Sequence, residues 1–383
     1  MNTAVVVDAV RSPMGRGKAG GALAGLHAVE LLAQVLAGLV RRNDLDPASV
    51  EDVIIGCVSQ GGEQAATPGR QAWLAAGFPE QVPATTIDRR CGSSQQALHF
   101  AAQGVIAGAY DIVIAGGVES MSRVPIGSSS LGKDKFGLSF GERYGEERPH
   151  QGIGAELIAE RWGLSRTRLD EFSLASHEKA AAARAEGRFA AQIAPVTLPD
   201  GTVLAEDEGI RTGGTLESLG ALTTVFKEDG VIHAGNSSQI ADGSAALLMT
   251  TSERAAELGL TPIARVHTAV LAGSDPFLML TGPIPATAKL LDRAGVRLDE
   301  IGAFEVNEAF ASVPLAWLAD VGADPKLCNP LGGAIALGHP LGGSGARLAT
   351  TLLHHMRDNG IRYGLQTMCE GGGQANATLF ELF

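Results

Sequence analysis

The chain has 383 residues, 45% of them hydrophobic and 19% charged, with a mean hydropathy of +0.12. That is enough apolar material for a large buried core, so disorder, collagen-like repeats and small disulfide scaffolds are excluded. Thirty Lys and Arg against 42 Asp and Glu leave a formal charge of −12, which argues against nucleic acid or an anionic membrane as partner and requires a local exception for any anionic substrate.

At roughly 150 residues per domain the length predicts two to three units. The start of the chain, Met1 to Met14, holds only a short apolar run from Thr3 to Val7, unlike a signal peptide or an Arg-rich presequence. No apolar run reaches the roughly 20 residues needed to span a bilayer. Cys57, Cys91, Cys328 and Cys369 lie far apart without a CxxC pair, and the nine histidines show no ligand spacing, so no metal site is expected. A soluble, reducing, cytoplasmic setting is the expectation.

Short apolar or β-branched runs alternate with helical patterns: Val5 to Val7, His27 to Arg42, Val53 to Ile55, Ala84 to Ile87, Ser94 to Ala107 and Ile112 to Ala115. This alternation predicts an α/β fold with a mostly parallel sheet covered by helices. From Ser122 to His233 the composition changes to Gly, Ser and charge around Gly127 to Pro149, then an Ala-rich helix near Asp170 to Arg188. We read that stretch as a large insertion or lid. The alternation resumes with a strand at Ala264 to Leu271, a helix at Ile284 to Gly295, a strand at Ala303 to Val306 and a helix at Phe310 to Val321.

One internal echo organises the rest. Gly92 and Ser93 open a helix followed by a strand from Asp111 to Gly117, and Gly343 and Ser344 open another followed by a strand from Tyr363 to Cys369. A duplicated α/β unit facing its copy would bring both helix starts to one central site, where open α/β sheets bind ligands.

Three tempting motifs fail on context. Gly15, Gly17 and Gly20 satisfy GxGxxG, but no helix opens there and no acid follows the second strand. Gly137 to Gly141 satisfies GxSxG without a preceding buried strand. Gly338 to Gly345 is glycine-rich but lacks the lysine of a P-loop.

Four residues survive. Cys91 follows a short strand and precedes a helix, where the macrodipole lowers a thiol pKa and favours the thiolate; a plain buried cysteine is the alternative. His339, fixed between Gly338 and Pro340, suits a general base, or else a capping or surface histidine. Cys369 ends a strand before Gly371, Gly372 and Gly373, whose N–H groups could face an oxyanion, or is merely structural. Asn307 directly follows a strand and could hold a water or a carbonyl, or serve as an N-cap.

These residues stand in Cys91-Gly92-Ser93, Asn307-Glu308-Ala309-Phe310-Ala311, Gly332 to Pro340 with Gly342, Ser344 and Gly345, and Cys369-Glu370-Gly371-Gly372-Gly373. Together, in that order, they resemble the thiolases. The resemblance extends to Ala4 to Pro13, Gly116 to Arg123 and Ala234 to Ser238 with Asp242 and Gly243, hence over nearly the whole chain.

It implies duplicated α/β halves, layered α-β-α-β-α, with a large inserted loop domain: residues 1–121 completed by about 234–251, an insertion over 122–233, and a second half over 252–383. It also implies acyl transfer through a cysteine thioester, with CoA as co-substrate, no tightly bound cofactor and no metal. The residue matching His339 would deprotonate Cys91, and Cys369 would protonate the leaving acetyl-CoA enolate. The N–H groups of Cys91 and Gly371 would form one oxyanion hole, His339 and a water on Asn307 another. Arg211 and Ser238 would touch CoA, and a homodimer or homotetramer is implied.

Asp88 and Ser94 differ from the Asn and Gly that many members carry, and Gln374-Ala375-Asn376 differs from the usual glycine-containing tail. Gln151 stands where the biosynthetic acetoacetyl-CoA enzymes usually carry Met. This favours a degradative 3-ketoacyl-CoA thiolase of fatty-acid or sterol side-chain breakdown over a biosynthetic acetyl-CoA acetyltransferase. A non-catalytic acyl-CoA-binding protein is a more remote reading.

Overall fold

The computed structural model describes residues 2–383. Ten strands form one sheet: β1 (Ala4–Arg11), β2 (Gly15–Arg16), β3 (Asp52–Gly56), β4 (Ala84–Ile87), β5 (Ile112–Ser120), β8 (Ala241–Thr251), β9 (Ala264–Gly273), β10 (Ala303–Val306), β11 (Tyr363–Glu370) and β12 (Gln374–Leu382); β6 (Val196–Thr197) and β7 (Val203–Leu204) form a separate small ribbon. The order is β10-β11-β12-β9-β1-β8-β5-β3-β4, with β2 on β8.

The order contains the duplication. In the first half β3 pairs parallel with β5, β5 antiparallel with β8, and β8 antiparallel with β1. In the second, β10 pairs parallel with β11, β11 antiparallel with β12, and β12 antiparallel with β9. Within the sheet the halves are joined where Val5 and Val6 of β1 face Arg265 and Ala264 of β9.

The expected mostly parallel sheet is corrected here. Six strand pairings are antiparallel and three parallel. The reason is connectivity: β11 turns directly into β12 through Gly371–Gly373, and β8 returns from the inserted segment, neither through a helical crossover.

Strand alternation sets the layers. Val5, Val7 and Val10 of β1 pack with Leu31, Leu32, Val35 and Leu36 of the Ala28–Arg42 helix. Val6 and Ala9 turn to the opposite face, against Ala97, Leu98, Ala346 and Leu353 of the Ser93–Ala107 and Ser344–Asn359 helices. Beyond the second half-sheet, Leu290 and Trp317 of the Pro283–Ala294 and Ser312–Val321 helices cover Phe304, Leu365 and Leu379. Five layers, α-β-α-β-α, result.

The two helices of the middle layer are the pair singled out by the sequence echo. Their starts touch: the Ala346 N–H donates to Ser94 Oγ at 2.9 Å, and Gly345 lies so close to the Gln95 backbone that a Cβ would come within 2.2 Å of its nitrogen. Gly345 therefore has no room for a side chain, and both helix N-termini face one central region.

Candidate active site

Cys91 occupies the turn between β4 and the Ser93–Ala107 helix. Arg90 before it has left-handed backbone, φ 49°, a conformation costing a non-glycine residue on the order of 1 kcal/mol. Side chains fix the turn: the Arg90 N–H donates to Asp88 Oδ1 at 2.6 Å, and Ser93 Oγ donates to the Arg90 carbonyl at 2.6 Å while accepting the Arg89 N–H at 2.9 Å. Asp88, one of the departures from the family pattern, thus supports the turn.

The Cys91 thiol, 7% exposed, lines a cavity of about 600 Å³. Val58, Ile126, Phe136, Met279 and Leu341 supply apolar wall, and Gly371 and Gly372 face Cys91 from the second half. Ile126 to Gln151, read from composition as part of a lid, contributes much of the opposite wall.

Cys369 is the penultimate residue of β11 and is fully buried. Burial, and next the proximity of Cys91, push its thiol well above the usual range. Two cysteines far apart in sequence thus share one site because β4 and β11 both end there. Gly372 and Gly373 carry φ of 92° and 77°, which turns β11 back into β12 and places the Gly371 N–H at the Cys91 thiol.

The expected lowering of the Cys91 pKa is overturned. Burial pushes it up to about 12, Glu370 adds to the rise, and the N–H groups of Gly371 and Cys91 with Arg90 oppose it only in part. Desolvation outweighs the helix terminus. The resting thiol is protonated.

His339 is 4% exposed, and burial with Arg347 nearby drives it down to about 3, so the ring is neutral. Its Nδ1 lies 2.5 Å from Ser344 Oγ, and its Nε2 has no partner. Neither carboxamide atom of Asn307, 1% exposed, has a partner either. One stretch holds both: the Ala311 N–H donates to the Asn236 carbonyl, the Ser238 N–H to Ala309, and the His339 N–H to Gln239, each at 2.9 Å. Leu341, two residues beyond His339, packs on Cys91.

The structure brings Cys91, Cys369 and Gly371 together, while His339 and Asn307 do not line the cavity and Leu341, two residues beyond His339, does. Arg211 is exposed, its N–H donating to His177 Nδ1 at 3.1 Å, and half-buried Ser238 is tied to Ala309; neither lines the cavity. Gln151 does. Among the described residues no three His, Cys, Asp or Glu gather as a metal centre would need.

Sequence reading missed Glu119 and Glu370. Glu119 accepts the N–H groups of Val58 at 2.9 Å, Ser59 at 3.0 Å and Gly342 at 2.8 Å, joining the cavity wall to the His339 turn. Its place within Gly116 to Arg123 was the available signal. Glu370 is buried, with neither carboxyl oxygen partnered, so near Gly92 that a Cβ there would meet Oε1 at 1.9 Å. Burial raises it to about 8 despite Arg89.

Comparison with known proteins agrees with this architecture. The thiolase N-terminal domain model matches residues 4–253 and the thiolase C-terminal domain model residues 260–382. Steroid 3-ketoacyl-CoA thiolase FadA6 of Mycobacterium tuberculosis is 48% identical over all of this chain and 94% of its own length, and the 3-ketoacyl-CoA thiolase of Pseudoalteromonas translucida is 44% identical over 100% and 99%. The crystal structure of the Bacillus anthracis acetyl-CoA acetyltransferase superposes with a TM-score of 0.91 at 36% identity, covering 100% of this chain and 99% of that one. The chain belongs to the thiolase family.

Proposed function

We propose that this enzyme is a degradative 3-ketoacyl-CoA thiolase, an acyltransferase cleaving 3-ketoacyl-CoA with CoA to acetyl-CoA and a shortened acyl-CoA. The observation that carries this reading is Cys91 on the wall of a largely apolar cavity of about 600 Å³, opposite the Gly371 N–H. An acetyl unit fills only a fraction of that space, which favours longer acyl groups over acetoacetyl transfer alone.

Cys91 attacks C3 of the substrate and its proton passes to neutral His339 Nε2. With the thiol near 12 and the imidazole near 3, no resting ion pair forms, so proton transfer accompanies attack. The alkoxide collapses, the C2–C3 bond breaks and its electron pair leaves on C2 as the acetyl-CoA enolate, which Cys369 protonates. After the His339 proton returns to Cys369, His339 takes the thiol proton of CoA; the CoA sulfur attacks the thioester and Cys91 leaves with that proton. The Cys91 and Gly371 N–H groups hold one oxyanion, and His339 with a water on Asn307 the other.

CoA is co-substrate, with Arg211 at its nucleotide end and Ser238 along pantetheine. The same reading keeps three parts, 1–121 with 234–251, 122–233 and 252–383, supported by the pairing of β8 with β1 and β5. The free edge of β4 supports association into a homodimer or homotetramer, and four unpaired cysteines suit a cytoplasmic setting.

The test is thiolysis across 3-ketoacyl-CoAs of increasing size. Cleavage beyond acetoacetyl-CoA is expected; turnover of acetoacetyl-CoA alone makes the enzyme an acetyl-CoA acetyltransferase, and ligand binding without any turnover makes it an acyl-CoA-binding protein.

A further inference from the structure

The cavity beside Cys91 has a charge pattern that an aliphatic acyl chain does not need. In a protein of net charge −12, its wall contains no Asp or Glu but two cations, Arg90 and Lys135. The rest of the wall combines apolar side chains with the polar ones of Ser59, Ser129, Ser130, His150, Gln151 and Gln374.

Neither cation is taken up by a strong internal ion pair. Lys135 Nζ lies 5.5 Å from the centroid of Phe136, itself a wall residue, and among the described residues it forms no ion pair with a carboxylate. The neighbouring Asp134 is engaged instead by the N–H groups of Phe136 at 3.0 Å and Gly137 at 3.1 Å. Arg90 is held by its left-handed backbone with its stem alongside Gly371, and its single acidic neighbour, Asp88, stands 3.6 Å away while already accepting the Arg90 N–H.

Two cations on an acid-free wall that also carries apolar surface select a ligand with an apolar body and an anionic end. CoA is an anion too, but Arg211 and Ser238, the residues proposed to touch it, lie outside this wall. We propose that the acyl group of the preferred substrate carries a second, free carboxylate, so that the enzyme acts on CoA monothioesters of 3-oxo dicarboxylic acids, with Arg90 and Lys135 as the specificity-determining residues. This rests on the thiolase reading and adds the substrate class.

The test compares two 3-ketoacyl-CoAs of equal chain length, one ending in a methyl group and one in a carboxylate. The wild-type kcat/KM should favour the carboxylate by about tenfold or more, the range of a charge-assisted hydrogen bond, and the preference should shrink with added salt. Lys135→Met and Arg90→Gln should each reduce that ratio at least severalfold. Equal or better use of the methyl-ended substrate overturns the inference while leaving the thiolase reading intact. A ratio unmoved in both variants, with KM for CoA raised instead, assigns the cations to CoA phosphates and also overturns it. Cleavage of neither substrate by the wild type sinks the thiolase reading itself.

Discussion

Ser344 decides which nitrogen of His339 carries the proton. Its hydroxyl has one hydrogen, and the Pro340 carbonyl, 2.8 Å from Oγ, can only accept it. Oγ must therefore accept from His339 Nδ1, 2.5 Å away, which leaves the lone pair on the unpartnered Nε2. The unpartnered nitrogen, the proposed base, is thus set by a serine at the start of the second-half helix.

Ser344→Ala should therefore lower kcat by about tenfold with little change in KM, while His339→Ala should lose on the order of 10² to 10⁴ at each step it serves. Steady-state thiolysis with both variants checks this. Asn307→Ala should be milder than His339→Ala. Wild-type rates in His339→Ala would remove the imidazole from the mechanism.

Incubation with an acyl-CoA and no acceptor should leave an acyl group on the peptide containing Cys91, detectable by mass spectrometry, and Cys91→Ala should abolish label and turnover alike. Label on Cys57 or Cys328, both buried, would overturn the nucleophile assignment.

In the proposed mechanism thioester formation needs only Cys91, His339 and an oxyanion hole, whereas carbon–carbon cleavage needs an acid on the enolate. Cys369→Ala should still be acylated, yet neither exchange deuterium into acetyl-CoA nor cleave a 3-ketoacyl-CoA. Full thiolysis in this variant would make Cys369 merely structural.

Glu370 predicts a pH dependence. Its carboxyl is raised from 4.5 to about 8 by burial, so the folded protein holds a proton that the unfolded chain releases. The stability this confers is complete below pH 4.5 and is lost as pH rises through 8. Glu370→Gln should leave Tm near wild type at pH 5 and raise it by roughly 2 °C or more at pH 9. Above pH 8 its Cys91 should also react faster with iodoacetamide, because the Glu370 charge that raises the thiol is gone. A Tm difference that does not vary with pH would contradict the assignment.

The sequence by itself determined the α/β class and the duplication, and it supplied the candidate residues of the site. Apolar periodicity marks the strands, and the paired Gly-Ser helix starts are local features that survive without tertiary knowledge. The order of Cys91, Asn307, His339 and Cys369 within their motifs is likewise written in the chain. Strand direction was not legible, because a parallel and an antiparallel partner demand the same buried Val and Ile pattern. Nor was the thiol's ionisation: the helix terminus at Ser93 is visible in sequence, but the burial that outweighs it, and the Glu370 carboxyl from the other half, arise only when β4 and β11 end at the same place. The same convergence joined Cys91 to Cys369 and Arg90 to Gly371. Long-range packing sets desolvation and charge proximity, and those two quantities decide what a cysteine, a histidine or an arginine can do.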